Sequence, residues 1–170
     1  MEMKFGILTV SDRSAAGERE DLSGPALVKA VEQAGWTVSR TAIVPDELRE
    51  IADILIAWSD EGECSVILTS GGTGFSPRDI TPEATAGVID RDAPGLAEAM
   101  RAGSLKITPH AMLSRAAAGI RGSTLIINLP GSPKGALENF RVIAPVLVHA
   151  VQLLEGIPGA ESGHSPGRAI

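Results

Sequence analysis

The sequence predicts an α/β protein with three α/β/α layers, in which a mostly parallel sheet carries helices on both faces. Three observations lead to this fold class. Apolar strand-like segments alternate with helical segments along most of the chain. Most of the strands are short continuous apolar runs, as in sheets covered on both faces, although the second strand is partly alternating. Polar, glycine-containing loops follow several of these strands, as in folds that bind ligands at strand ends.

Length and composition indicate one globular domain with an aliphatic core. The chain has 170 residues, of which 44% are hydrophobic and 21% charged, and this length is typical of a single domain. Aromatic residues make up only 3%, so the core must consist of Leu, Ile, Val and Ala. We predict one domain over residues 1–156. Residues 157–170 are rich in Gly, Pro and Ser, and we predict a disordered C-terminal tail there.

The net charge and the cysteine content limit the partners and the cellular compartment that we expect. The net charge of −6 argues against nucleic acid or an anionic membrane as the main partner. The single Cys64 excludes an internal disulfide and fits a reducing compartment. No uninterrupted apolar run reaches the roughly 20 residues of a membrane span, and the N-terminus resembles a strand more than a signal peptide. We therefore expect a cytoplasmic protein.

The first half of the chain predicts two strands and two helices. An apolar strand covers 5–11, and a polar loop follows it. A helix is predicted over 23–35, where Ser23 can cap, Pro25 suits the first turn and Gly35 ends the helix. The second strand covers 36–44, and the second helix covers 45–62. The apolar residues of that helix recur at helical spacing, at Leu48, Ile51, Leu55 and Trp58.

The second half predicts two more strands and the remaining helices. A short buried strand covers 65–70 and leads into a glycine-rich loop. One or two helices follow over 82–103, broken near 92–95 by a Pro-Gly pair. A strong apolar strand covers 123–131, and a long helix covers 132–156 with an apolar face at helical spacing.

Four loops are expected to meet at one edge of the sheet. Each follows the end of a predicted strand, and ligands of open α/β sheets bind beyond the carboxyl ends of the strands. These loops cover about 11–17, 44–47, 70–83 and 128–135. We expect the functional site there.

The loop "SGGTG" allows two interpretations. It lacks the Lys of a P-loop and the third glycine of a dinucleotide fingerprint. Backbone N–H groups of Gly71, Gly72 and Gly74 can approach an anion closely, and the hydroxyls of Ser70 and Thr73 add donors. Alternatively, the loop is only a tight turn that requires glycine.

Asp46 and Asp79 also allow two interpretations each. Either acid can cap a helix or interact with a helix dipole. Alternatively, two acids beside a phosphate site can hold Mg²⁺, which binds one or two carboxylates together with substrate phosphates. Arg13, Arg78 and Lys134 lie in the same loops and can offset phosphate charge, although each can also be a solvated surface cation. The residues alone thus predict an α/β domain that binds a phosphorylated ligand with Mg²⁺.

Four motifs in order carry a family resemblance. The segments "LTVSDRSAAG", "IVPDE", "LTSGGTGFSPRDITPEAT" and "ITPHAMLSRAAAGIRGSTLIINLPGSPKG" resemble the molybdopterin adenylyltransferases of molybdenum cofactor biosynthesis. This family includes the MogA-type proteins and the G domains of gephyrin and its plant counterpart. The resemblance runs from about residue 5 to residue 156 and implies the fold of the molybdenum cofactor biosynthesis proteins.

The resemblance also implies a reaction. ATP and molybdopterin give adenylated molybdopterin and pyrophosphate, with Mg²⁺ as cofactor. The product is expected to pass to a molybdenum insertase. A non-enzymatic molybdopterin-binding or scaffold module of the same fold remains an alternative, and the presence of both acids favours the enzyme.

Site residues follow from the motif positions. The resemblance implies that Asp46 and Asp79 are the catalytic and metal-binding acids and that Ser114 contacts the pterin. It implies that the substrates contact Ser11, Asp12, Ser70, Gly71, Gly72, Thr73, Gly74, Ser114, Asn128, Pro130, Gly131 and Ser132. The first loop is similar to that of the trimeric branch of the family, so we expect a homotrimer, and we expect no fused insertase domain.

Overall fold

Six strands and six α-helices form the fold in the computed structural model, which describes residues 2–160. In chain order they are β1 (Lys4–Val10), α1 (Asp12–Ala15), α2 (Ser23–Gln33), β2 (Thr37–Val44), α3 (Leu48–Asp60), β3 (Val66–Ser70), α4 (Thr81–Ala86), β4 (Arg91–Asp92), α5 (Pro94–Leu105), β5 (Ala118–Arg121), β6 (Thr124–Leu129) and α6 (Pro133–Leu154). A 3₁₀-helix at Pro109–Leu113 precedes β5.

The strands form one sheet in the order β2-β1-β3-β6-β5-β4. The first four strands of this order are parallel. At the other edge, β5 and β4 run antiparallel to their neighbours. The predicted mostly parallel sheet is therefore confirmed.

Two apolar cores lie on opposite faces of the sheet because neighbouring residues of a strand point to opposite sides. Phe5 and Ile7 of β1 pack in the first core with residues of α2, α5 and α6. Leu8 and Val10 pack in the second core with residues of α3 and α4. This arrangement confirms the predicted α/β/α layers.

Several short elements were not predicted. The strand pair β5–β6 turns through Gly122, whose φ of 55° is a left-handed conformation that suits glycine. Strand β4 has only two residues and lies between α4 and α5, where the sequence predicts a break. Such short elements carry too few residues for a hydrophobic period to be visible.

The predicted meeting of the loops is also observed. The Ser11 amide, just past β1, donates to the Val44 carbonyl at the end of β2 (2.9 Å). The Gly71 amide, just past β3, donates to the Leu129 carbonyl at the end of β6 (3.1 Å). The carboxyl ends of all four parallel strands thus share one edge of the sheet.

Helix α6 has 22 residues and contains an 18-residue window with a mean hydropathy of 1.3, enough in length and composition to cross a membrane. Core helices of soluble proteins meet the same criteria. One face of α6 lies in the first core, through residues such as Phe140, Leu147 and Val151. The tail predicted at 157–170 lies, from residue 161 onward, outside the described residues.

Candidate functional site

Two cavities open at the carboxyl edge of the sheet, one on each side of the glycine loop. The first has a volume of about 330 Å³ and the second about 290 Å³. Among the predicted site residues, the first is lined by Ser11, Asp46, Ser70, Gly71, Gly72, Asp79 and Gly131. The second is lined by Thr73, Gly74, Ser114 and Pro130, and Ser132 lines both.

Glycine is required at two positions of the loop between the cavities. Gly71 has a φ of 110°, and a Cβ there would lie 2.2 Å from the Val10 carbonyl oxygen. Gly72 has a φ of 63°, and a Cβ would lie 2.3 Å from Thr81 Oγ1 and 2.9 Å from Asp46 Oδ1. The positive φ angles and the close contacts, with backbone at Gly71 and with side chains at Gly72, explain these two glycines, so the tight-turn interpretation holds for their conformation.

The hydrogen bonds of the loop show which donors remain for a ligand. The Gly71 amide is bonded to Leu129, and the Ser70 hydroxyl donates to the Pro130 carbonyl (3.0 Å). Within residues 2–160, the amides of Gly72, Thr73 and Gly74 donate no hydrogen bond. Three consecutive N–H groups at the boundary of two cavities are a suitable anion-binding arrangement.

Asp46 is fixed by a reciprocal pair of hydrogen bonds with Asp12. The Asp12 amide donates to Asp46 Oδ2 (2.9 Å), and the Asp46 amide donates to Asp12 Oδ1 (3.0 Å). The N-cap of α3 is Glu47, so Asp46 is not the helix cap. Burial, together with the charges of Asp12 and Asp79, raises the pKa of Asp46 above its ordinary value.

Asp79 forms two hydrogen bonds with Ser76, within the loop that contains both residues. Its Oδ2 accepts from the Ser76 amide (2.9 Å), and its amide donates to the Ser76 carbonyl (2.9 Å). Helix α4 has Ile80 at its N-cap and no side-chain cap, so Asp79 does not cap it. The capping interpretation is therefore wrong for both acids, and both carboxylates line the first cavity.

The two acids fit a metal ion that arrives with a ligand. No group of three or more His, Cys, Asp or Glu side chains in the described part of the chain could hold a metal ion. Mg²⁺ needs only one or two carboxylates when phosphates and water complete its shell. The raised pKa of Asp46 reflects an unfavourable buried negative charge, which a bound cation would offset.

The predicted basic residues have different surroundings. Arg78 donates to both carboxylate oxygens of Asp12 (3.0 and 2.8 Å) and to Glu47 (2.8 Å). Asp12 is therefore bonded to Arg78 and to the Asp46 amide, and it does not line the first cavity. The Arg78 guanidinium lowers the pKa of Asp12. Lys134 is highly exposed and lies 3.8 Å from Glu138.

The second cavity combines apolar walls with a few polar groups. Ser114 follows the 3₁₀-helix and is partly buried. Arg101 Nη1 donates to the carbonyls of Ser114 (3.4 Å) and Ala116 (2.9 Å) and so holds this segment. Apolar side chains such as Ile107 and Leu113 also line the cavity. This composition suits a flat ring with polar edges.

Asn128 lies elsewhere than predicted. It is fully buried and lines neither cavity. Its Nδ2 donates to Thr69 Oγ1 (3.0 Å) and Thr85 Oγ1 (2.8 Å), and its Oδ1 accepts from the Ala117 amide (3.2 Å). Buried amides bond internally in this way, so Asn128 joins β3, β6 and α4.

Arg115 is an important residue that sequence reasoning missed. Its side chain bonds to the Gly74 carbonyl, the Asp79 carbonyl and Glu83. It follows Ser114 within the segment "ITPHAMLSRAAAGIRGSTLIINLPGSPKG" that carries part of the family resemblance. No periodicity or spacing in the sequence connects it with the glycine loop, which lies about 40 residues earlier.

Comparisons of the sequence and of the structure with known proteins indicate the same family. Residues 6–149 match a family described as the probable molybdopterin binding domain. The molybdopterin adenylyltransferase of Helicobacter pylori strain J99 is 44% identical over 154 residues, which cover 89% of this chain and 88% of that protein. The crystal structure of MoaB, a molybdopterin biosynthesis enzyme of Thermus thermophilus, is 49% identical with a TM-score of 0.86, and the match covers 92% of this chain and 98% of that one.

A longer relative matches the same region. Gephyrin of Dictyostelium discoideum is 44% identical over 167 residues, which cover 92% of this chain. The chain spans 23% of that protein's length, whereas it spans 88% of the Helicobacter pylori protein.

The environment of Asp46 predicts an effect on stability. Asp46→Asn keeps an acceptor for the Asp12 amide and removes a buried charge, so it should raise the free energy of unfolding by about 0.5–2 kcal/mol at pH 7. Because a raised pKa costs stability only when the acid is ionised, this difference should vanish below about pH 3.9, the ordinary pKa of aspartate. Urea denaturation at several pH values measures it. A variant less stable than the wild type at pH 7 would contradict this account.

Proposed function

The chain belongs to the molybdopterin-binding domain family of molybdenum cofactor biosynthesis, and from this membership we propose that it is a molybdopterin adenylyltransferase. The proposed reaction transfers AMP from ATP to the terminal phosphate of molybdopterin. The observation that carries the proposal is the glycine loop, which separates two cavities and has two acids on one side. The full-length similarity to a bacterial molybdopterin adenylyltransferase supports it.

The two cavities suit the two substrates. The second cavity, with Ser114 and its apolar walls, accommodates the pterin. The first cavity, with Asp46 and Asp79, accommodates the phosphates of ATP. The free amides of Gly72, Thr73 and Gly74 lie where the two cavities meet, so they bind the phosphates that react.

The proposed adenylyl transfer needs no acid–base residue. An oxygen of the molybdopterin phosphate attacks the α-phosphorus of ATP, a new P–O–P bond forms, and pyrophosphate leaves with the electrons of the broken bond. A phosphate monoester is already anionic at pH 7, so no side chain has to remove a proton from it. Positioning and charge stabilisation remain as the tasks of the protein.

Different residues of the chain contribute to positioning and to charge stabilisation. Asp46 and Asp79 would hold Mg²⁺, which when bound neutralises phosphate charge. The Asp12–Asp46 bond pair fixes the first acid, and the Ser76–Asp79 bonds fix the second. Gly72 leaves the space beside Asp46 Oδ1 that a side chain would fill.

One incubation tests the proposed function. Purified protein, molybdopterin, ATP and Mg²⁺ should give adenylated molybdopterin and an equal amount of pyrophosphate, and pyrophosphate should form only with molybdopterin present. Molybdopterin binding without pyrophosphate release would instead support the non-enzymatic binding or scaffold module. Failure of Mg·ATP to bind would exclude the transferase.

The context of the reaction is also proposed. The adenylated product is a substrate for a molybdenum insertase, and the buried free Cys64 fits the reducing cytoplasm.

We propose a homotrimer as well. An apolar depression of about 450 Å³ between α5 and α6 supports this, because its residues Val142 and Val146 are 39% and 49% exposed. Light scattering should give three times the mass of one chain at micromolar concentration, and a stable monomer would contradict the proposal.

Replacement of Asp79 tests the role of the acids. Asp79→Asn should lower the rate by about 10² to 10³, the loss typical of one preorganised electrostatic group. Stability and molybdopterin binding should change little because the amide keeps the acceptor for the Ser76 N–H. Asp46→Asn should reduce the rate similarly, and the double variant should show less than additive effects if both acids serve one metal. Near-normal adenylylation by Asp79→Asn would remove the proposed mechanism.

Replacement of Ser114 tests the assignment of the cavities. Ser114→Ala removes one hydroxyl from the second cavity, so molybdopterin binding should weaken by roughly 0.5–2 kcal/mol. Binding of ATP with Mg²⁺ should remain nearly unchanged, and calorimetric titration measures both. An equal loss for both ligands would show that Ser114 does not distinguish the two cavities.

A further inference from the structure

Arg115 connects the wall of the second cavity to the loop that carries Asp79. Its amide donates to the Thr73 carbonyl (2.9 Å), and its Nε donates to the Gly74 carbonyl (2.7 Å). Its Nη2 donates to the Asp79 carbonyl. The guanidinium therefore bonds to both ends of the loop from Gly74 to Asp79.

The guanidinium itself is held in place. Its Nη1 forms an ion pair with Glu83 in α4, and the Arg115 side chain is 33% exposed. The guanidinium is planar and presents its donors in a rigid fork, so its orientation fixes the two carbonyls relative to each other. Hydrogen bonds from a charged donor are stronger than neutral ones, whereas the half-exposed ion pair with Glu83 adds little by itself.

The loop between these carbonyls has few other contacts that could hold it. Residues 75–78 are exposed, and Phe75 is 67% exposed. The Ser76–Asp79 hydrogen bonds close the loop internally but do not attach it to the rest of the protein. Arg78 attaches it to Asp12 and Glu47 on the first-cavity side. Arg115 attaches it from the opposite side, near Asp79.

We propose that Arg115 is a positioning residue that holds the Gly74–Asp79 loop so that the Asp79 carboxylate faces the first cavity. Only the expected effect of Arg115 on the rate of adenylylation rests on the proposed function. Arg115 does not line either cavity, and it acts through the two carbonyls that it binds.

Hydrogen exchange in the ligand-free protein tests the positioning directly. Arg115→Lys keeps the charge and loses the fork, so the Ser76 and Asp79 amides should exchange about tenfold faster or more. Amides of α6 should keep their protection. Glu83→Gln leaves the carbonyl bonds in place and removes the outer anchor, so it should give a smaller increase at the same two amides.

Arg121→Lys is the matched control. Arg121 also pairs with a carboxylate, Asp60, and donates to a backbone carbonyl, that of Val88 (2.9 Å). It lines neither cavity. Arg121→Lys should leave the exchange of Ser76 and Asp79 and the rate of adenylylation unchanged.

Steady-state kinetics separate positioning from a purely structural role. Arg115→Lys should lower kcat about 10- to 100-fold, because small misplacement of a reacting group has large effects on rate, and it should leave the KM for ATP within about threefold. A purely structural role predicts a lower urea midpoint and normal kcat per folded molecule. Wild-type exchange at Ser76 and Asp79 in both Arg115→Lys and Glu83→Gln would overturn the inference. Absence of adenylylation by the wild type would overturn the proposed function alone, because the exchange experiment contains no substrate.

Discussion

The close approach of the Gly71 backbone to the end of β1 is the constraint on which the rest of the site depends. A Cβ at Gly71 would lie 2.2 Å from the Val10 carbonyl oxygen, and the Gly71 amide is bonded to Leu129. The loop after β3 is thus fixed between the ends of β1 and β6. The next three residues, Gly72, Thr73 and Gly74, line the two cavities, and within residues 2–160 their amides donate no hydrogen bond.

A second constraint is electrostatic. Asp46 is buried at 9% exposure and lies near two other carboxylates, and these surroundings raise its pKa. The Asp12 amide reduces this cost through its hydrogen bond to Asp46 Oδ2, whereas the charge of the Asp12 carboxylate, which is paired with Arg78, adds to it. The proposed site for a cation and phosphates therefore holds an unfavourable charge when no ligand is bound, a common compromise between stability and activity.

The sequence predicted the layers, the parallel strands and the positions of both acids, because apolar runs and strand-end loops depend on local pattern. It did not predict β5 or the 3₁₀-helix, which are too short to show a period. The family resemblance implied that Asn128 contacts the substrates, but its side chain is fully buried. Arg115 was missed because its partners Gly74 and Asp79 are close only in space.

The boundary between the two cavities consists largely of backbone. A Cβ at Gly131 would lie 3.1 Å from the Cα of Gly71, so the two loops touch without side chains between them. Evolution and protein engineering change binding sites by exchanging side chains, and the contact between Gly71 and Gly131 offers none to exchange. New ligand preferences are therefore expected to arise at the outer walls, for example at Arg19 in the first cavity or His110 in the second, while the backbone between the cavities stays the same.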